Sequence, residues 1–244
     1  MALQNTDGFD NDTPLDEFDR AVLGVIISEY LAGNRYTTVK IIFRALIGKV
    51  ADRGAIILKN QQGAIISSVL KLIGTIIDFS GVADSLCEMH YRDIDGNCLK
   101  FGAEALLSAG IVVTKINDQV MNGVIYFKDN SPLFDIADVK NQVIRYPHAL
   151  LDVPNLNNTT QIISIKKYVL RRICEIKLHK QLAHTITFDD VFLKCRLSNC
   201  SRSVKKDARN AVLKLFHHLS DQSFIKSFEP VIQRQKFISV KFLF

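Results

Sequence analysis

The stretch SRSVKKDARNAVLKLFHHL, residues 201–219, decides how the chain is read. Val204, Ala208, Val212, Leu215 and Leu219 recur at helical spacing and predict one buried face. Arg202, Lys205, Lys206, Arg209, Asn210 and Lys214 fall on the opposite side. A helix that is apolar along one edge and basic along the other faces either water or a polyanion. Its neighbours decide between the two. Upstream, Ile162, Ile165, Val169, Ile173 and Ile176 form a second apolar stripe, with Lys166, Lys167, Arg171, Arg172 and Lys177 around it. Between the two, Thr187-Phe188-Asp189-Asp190 is a capping signal for a short helix through about Cys195. Downstream, 224–231 and 237–244 alternate as two strands around residues 232–236.

Helix, helix, basic helix, hairpin is the order of a winged helix, and the first half follows a similar order. Thr13-Pro14-Leu15-Asp16 reads as a helix start, with a capping Thr and a Pro at the first helical position. Apolar positions from Leu15 to Tyr30 keep the helical period until Gly33-Asn34. Thr37 is placed to cap a second helix through Ile47. A third runs from about Asn60 to Ile73, with Ile65, Ile66, Val69, Leu70 and Ile73 inward and Gln61, Gln62, Ser67, Ser68 and Lys71 outward. Ile76 to Phe79 reads as a strand, and Leu106 to Ile116 with Val120 to Phe127 as a hairpin after an insertion near residues 80–103. Ser131-Pro132 opens a short helix, and Val143 to Val153 reads as strand and connection. Pro154 to Thr160 has linker composition. The expected fold class is therefore α+β, two tandem winged-helix domains at 14–153 and 154–244 after a flexible acidic segment at 1–13.

Charge divides the same way. Residues 1–150 hold 14 Lys and Arg against 18 Asp and Glu, a net of −4. Residues 151–244 hold 17 against 7, a net of +10, within a chain of net charge +6. A strongly basic segment beside a mildly acidic one points to a polyanionic partner. In a helix-turn-helix arrangement the third helix enters the major groove, and residues near its start reach base edges. Arg202, Lys205, Lys206, Arg209 and Asn210 lie within the first turns, and Ser201 and Ser203 can donate to phosphates. Arg234 and Lys236 at the hairpin tip suit a minor groove or its backbone. Gln61, Gln62, Ser68 and Lys71 offer a possible second DNA contact. Taken alone, the helix at 201–219 fits an ordinary amphipathic surface helix as well as a recognition helix; the basic segment and the following hairpin favour duplex DNA.

Other chemistry finds little support. Hydrophobic residues make up 48% and charged residues 23% of the 244, which is a globular composition. No apolar run reaches the roughly 18–20 residues of a membrane span, and the start lacks a secretory pattern, so no membrane and a cytoplasmic setting are expected. Five cysteines show no framework spacing and are expected as reduced thiols. Cys195 and Cys200 with His217 and His218 lack a completing pair for zinc. There is no phosphate-loop motif, no dinucleotide fingerprint and no recognisable nuclease cluster. An enzyme, a metal and a cofactor are not expected.

Quoted in order, Asn157-Asn158-Thr159, then 165–173 (IKKYVLRRI), then Ile186-Thr187-Phe188-Asp189-Asp190, and finally Ile225-Lys226-Ser227-Phe228, resemble the second domain of iteron-binding plasmid replication initiators. The layout from Pro14 through the glutamine-bearing helix near residue 62 is similar to their first domain. That resemblance implies bacterial origin recognition by two winged helices, with the first domain doubling as a dimer interface and monomers engaging direct repeats. It also implies recruitment of host initiator, helicase and primase, without nucleotide hydrolysis. The first half is acidic here, a departure that moves weight from DNA contact toward dimerisation. Two other classes share part of the pattern: a winged-helix transcriptional regulator, told apart by promoter rather than origin binding, and a non-enzymatic scaffold for RNA or another polyanion. The scaffold reading would call for exposed base-stacking aromatics, whereas the alternation of Phe237, Phe242 and Phe244 suits a buried hairpin face.

Overall fold

Small polar side chains set where the helices begin. In the computed structural model, which describes residues 3–5, 15–78, 103–116, 119–128, 146–179, 181–233 and 236–244, α1 spans Glu17–Leu31. The Asp16 carboxylate accepts from the Phe18 and Asp19 amides at 2.9 Å, and Asp19 accepts back from the Asp16 amide at 3.0 Å. Two carboxylates at the positive end of the helix thus form the cap. The expected cap at Thr13 and Pro14 lies outside the described residues. Strand β2 (Tyr36–Thr38) leads into α2 (Val39–Ile47). Thr38 caps it, accepting from the Ile41 amide at 3.2 Å, and not Thr37, whose side chain is fully buried in the strand. Helix α3 is Lys59–Gly74, followed by β3 (Thr75–Asp78), β4 (Ala103–Ala105), β5 (Ala109–Ile116) and β6 (Gln119–Phe127).

The second half opens with a 3-10 turn at His148–Leu151, where the sequence suggested a strand; Pro147 precedes it, and Leu150 and Leu151 are buried. Helix α4 (Thr160–Leu178) starts at Thr159, which accepts from the Ile162 amide. Strand β7 (Thr185–Thr187) gives way to α5 (Phe188–Lys194), capped by Thr187 as its sequence predicts. Helix α6 (Arg202–Asp221) follows its Ser201 cap, then β8 (Ser227–Gln233) and β9 (Lys236–Leu243). The molecule is mixed α+β, with six α-helices and three small antiparallel sheets among the described residues.

Sheet order is the same in both halves. The strand between the first two helices pairs with the last strand of the hairpin, giving β2-β6-β5 and β7-β9-β8. The third sheet, β1-β3-β4, includes Leu3–Asn5 as β1, a stretch that composition places in the acidic lead-in. The insertion near 80–103, apart from β4, and the helix expected at Ser131 lie outside the described residues.

The chain divides into two compact units. One takes Met1–Pro14, Val22–Ile42 and Leu58–Val143; the other takes Leu15–Ala21, Phe43–Ile57 and Ile144–Phe244. Counted over these ranges, the first holds 9 Lys and Arg against 14 Asp and Glu and the second 22 against 11, nets of −5 and +11. In the acidic unit Val25, Ile26, Val39, Ile65, Val69 and Ile125 are among the buried residues. In the basic unit Ile165, Val169, Ile173, Phe188, Phe192, Val212, Leu215, Phe216, Val240 and Phe242 form one core with Leu150 and Leu151. Gly48 permits a close approach within this unit: its φ is +84°, and a Cβ there would meet the Asp152 nitrogen at 2.5 Å and the His148 oxygen at 2.6 Å.

Candidate nucleic-acid interface

Helix α6 carries the candidate site. Val212, Leu215, Phe216 and Leu219 are fully buried, with Ala208 and Ala211 nearly so, which fixes the helix's rotation. Arg202, Ser203, Lys206 and Asn210 are then exposed. Ser201 uses its hydroxyl to accept from the Val204 amide at 3.4 Å and shares a 2.9 Å contact with the Ser203 hydroxyl. Both hydroxyls stand at the first turn, where free backbone amides and the helix dipole favour an anion.

Two basic residues assigned to the open side rest against α5 instead. The Arg209 guanidinium carbon sits 4.9 Å from the Phe192 ring centroid and 5.7 Å from that of Phe188. Its Nε is buried with no hydrogen-bond partner. Lys205 lies 5.7 Å over Phe192 and donates to the Ser198 carbonyl at 2.5 Å. The apolar stripe is broad, and its flanks fall over the two stacked phenylalanines, so these stems are half-covered. Asp207, passed over in the sequence, is exposed on the same helix and lowers the local positive charge.

A groove of about 610 Å³ runs along α6, lined by Asp207, Asn210, Lys214 and His217 on the helix and by Asn155, Asn157 and Gln161 opposite. Lys214 closes one part of it by donating to the Asn155 carbonyl at 2.7 Å. Asn155 has a φ of +55°, a left-handed conformation that asparagine tolerates, which turns its carbonyl back toward the helix. The linker composition of this stretch concealed that it packs onto α6.

The basic residues around the α4 stripe serve the fold. Glu17, only 4% exposed, holds Arg171 and Arg20 at 3.0 Å each. Arg171 and Arg172 also pair with Glu175 at 3.0 and 3.1 Å, and Arg196 lies 3.8 Å from Asp16. Lys166 is 1% exposed and donates to the Leu151 carbonyl and Asn158 Oδ1, both at 2.8 Å. Burial lowers its ammonium to about 8, against a partial pull upward from Asp152. Lys167 stands 5.4 Å over the Tyr146 ring, and burial, with Lys166 adjacent, lowers it to about 7. Lys177 lies over Phe224 and Phe244. Burial pushes the Cys174 thiol up to about 11 and that of Cys195 up to about 12, so both stay protonated at neutral pH.

On the hairpin, Lys236 is exposed, while Arg234 lies outside the described residues. Phe242 is buried as its alternation predicts, but Phe237 and Phe244 are 36% and 37% exposed. Only one end of the hairpin is backed by the core, because β7 pairs with Ser239, Val240 and Lys241 and stops there. On α3 the expected outward set is largely turned in. Gln61, Gln62 and Ser68 are 8%, 6% and 4% exposed, leaving Lys71 half-buried and Ser67 open. Gln61 is held at the helix start, accepting from the Leu58 amide at 2.9 Å. With three of its four members buried, the possible second DNA contact is not assembled on an open face. Polarity alone misassigned the face, since a glutamine at the start of a helix can be used as a cap. Set against known protein families, curated proteins and solved structures, the chain matches none.

Proposed function

We propose that the chain is a sequence-specific duplex-DNA-binding protein of tandem winged-helix type, acting as a plasmid replication initiator. The observation that carries this reading is in the basic unit. A helix–strand–helix–helix–hairpin order, with the hairpin's last strand central in the sheet, sets an exposed Arg202, Ser203, Lys206 and Asn210 on the third helix. This is the arrangement in which a third helix enters a major groove while the hairpin flanks it. Arg202 and Asn210 are the base readers in this reading, since a planar fork matches guanine and an amide matches adenine. Lys206, with Ser201 and Ser203, contacts phosphate. The first half of the chain repeats the element order, and the acidic unit, which holds most of it, lacks the positive charge, which suits pairing between copies better than DNA contact. A dimer exchanging with a DNA-bound monomer, and engagement of host replication proteins, belong to the same proposal.

The test is selection of duplexes from a random pool by the full chain, followed by binding of alanine variants to selected and scrambled duplexes across a salt series. Arg202→Ala and Asn210→Ala should cost about 1–3 kcal/mol on the selected duplex and much less on scrambled DNA. Lys206→Ala should weaken both alike and lower the salt slope by about one. Failure to enrich any sequence, with equal binding of all variants, overturns the reading. Footprinting on the DNA flanking the gene then separates an origin from a promoter.

A further inference from the structure

The two halves build the same three-stranded sheet, but the sides turned away from the core carry different chemistry. In β7-β9-β8 the row Thr185↔Lys241↔Glu229 crosses that side, with Lys241 and Glu229 exposed and opposite in charge. A sheet face left to water has this composition. The matching row of β2-β6-β5 is Tyr36↔Tyr126↔Gly110. Thr37 and Ile125, their neighbours along the strands, are fully buried, so the two tyrosines stand on the open side. They are 62% and 42% exposed, and the next row adds Val112 at 59% and a half-buried Val124. A Cβ at Gly110 would run into the Tyr126 ring, so the glycine lets that ring lie down across the strand.

Charge marks the same face. Strands β2, β5 and β6 contain no Asp or Glu, although the unit that holds them has a net charge of −5. Arg35 and Lys128 extend the ladder by one residue: the Arg35 carbonyl accepts from the Phe127 amide at 3.0 Å, and the Lys128 amide donates to the Ser108 carbonyl at 3.1 Å. Both side chains are exposed, and neither forms an ion pair with another described residue.

We propose that this face binds single-stranded RNA, with unpaired bases stacked on Tyr36 and Tyr126 and phosphates held by Arg35 and Lys128. The site lies in the other unit from α6 and does not depend on the duplex-binding reading. Neighbouring exposed aromatics on an open sheet are a platform on which unpaired bases stack. The exposed aromatics that an RNA partner calls for are thus present, on the first half and not on the terminal hairpin. Shape excludes a duplex, whose major groove admits a helix or a two-stranded ribbon and not the flat of a three-stranded sheet. Charge disfavours a second copy, since a face-to-face pair would bring two sets of Arg35 and Lys128 together with no carboxylate on either sheet. Hydroxyls select RNA over DNA. The two phenols, Ser108 and Thr114 share the face by strand alternation, and a 2′-hydroxyl both donates to and accepts from such groups.

The experiment uses the full chain and short random-sequence single strands, one pool of RNA and one of DNA. The chain has six tyrosines and no tryptophan, so quenching of tyrosine emission reports stacking directly. RNA should quench that emission and bind severalfold more tightly than DNA. Tyr36→Ala and Tyr126→Ala should each weaken RNA binding by about tenfold, while Tyr36→Phe and Tyr126→Phe stay within about twofold of the parent. Arg35→Gln and Lys128→Gln should each lower the salt slope by about 0.7. Arg202→Ala with Lys206→Ala should lose duplex DNA and keep RNA; loss of both would place RNA on α6 and overturn the proposal. A parent that binds no RNA, or alanine variants that bind it like the parent, overturns it too, and duplex binding would still stand. DNA held as tightly as RNA removes the choice of RNA. Loss of self-association in the alanine variants, with RNA binding intact, identifies the face as a contact between copies and likewise overturns it. Tyr36 is largely exposed, so Tyr36→Ala should melt with the parent, which excludes unfolding as the cause of its loss.

Discussion

Arg209 and Lys206 stand one turn apart on α6, yet their environments give them different work. Arg209 lies over two phenylalanine rings with its Nε sealed from water, whereas Lys206 is exposed. A guanidinium on an aromatic face contributes about 0.5–2 kcal/mol, and its stem covers apolar surface besides. Arg209→Ala should therefore lower unfolding free energy by about 1–2 kcal/mol in urea titrations, while Lys206→Ala should stay within about 0.5 kcal/mol. Equal stability of the two variants would show that the α5 stack does not hold Arg209. Glu17 invites a similar comparison. Its carboxylate is buried between Arg20 and Arg171, and truncation leaves those charges without their acceptor. Removing one partner of a fully buried pair costs about 3–5 kcal/mol, but Arg171 is 37% exposed and water recovers part of that. Glu17→Ala should cost on the order of 2 kcal/mol by the same measurement.

Helix α4 shows what can be read from sequence and what cannot. Its start at Thr159, its apolar stripe and the cap of α5 at Thr187 all follow from local rules, because a hydroxyl and the amide three residues on are neighbours in the chain. The fate of its basic residues depends on partners far away in sequence: Arg171 meets a carboxylate 154 residues upstream. The inward turn of Gln61, Gln62 and Ser68 on α3, and the exposed Ile232 and Phe237, have the same origin, since burial belongs to the packed surface and alternation only suggests it. A pH dependence follows from α4 as well. Lys166 and Lys167 fall to about 8 and 7 in the folded chain and return to their ordinary 10.5 on unfolding. Above pH 7 the unfolded chain binds more protons than the folded one, so stability rises with pH, by on the order of 1 kcal/mol per pH unit for each lysine held neutral. Above about pH 9 the gain is opposed, because Cys174 and Cys195 keep their protons to about 11 and 12 when folded but lose them sooner when unfolded. Urea midpoints should climb from pH 7 to about 9 and then level. Lys167→Met should flatten the climb, and an unchanged slope in that variant would assign the effect elsewhere.

At the scale of the whole molecule, the basic unit is not a continuous segment. A fragment that begins at residue 151 omits Leu150, the 3-10 turn that carries it and the Glu17 carboxylate that anchors Arg171. It also omits Phe43–Ile57, where Gly48 lies against residues 148–152. A fragment of residues 144–244 recovers the turn, and should fold, but melt below the full chain because Glu17 and the Gly48 contact are still missing. A fragment of 151–244 should melt lower again. The cations open to solvent on α6 and the hairpin, Arg202, Lys206, Lys214, Lys236 and Lys241, are present in both fragments. Salt dependence counts the phosphates neutralised, at about 0.9 per contact on duplex DNA. The 144–244 fragment should therefore show the same slope of log affinity against log salt as the full chain on one selected duplex, even where its affinity is lower. A slope smaller by two or more would mean that the acidic unit, despite its net −5, brings phosphate contacts of its own and that both units lie on the DNA. Equal slopes with a loss of concentration-dependent self-association in the fragment would assign pairing between copies to the acidic unit.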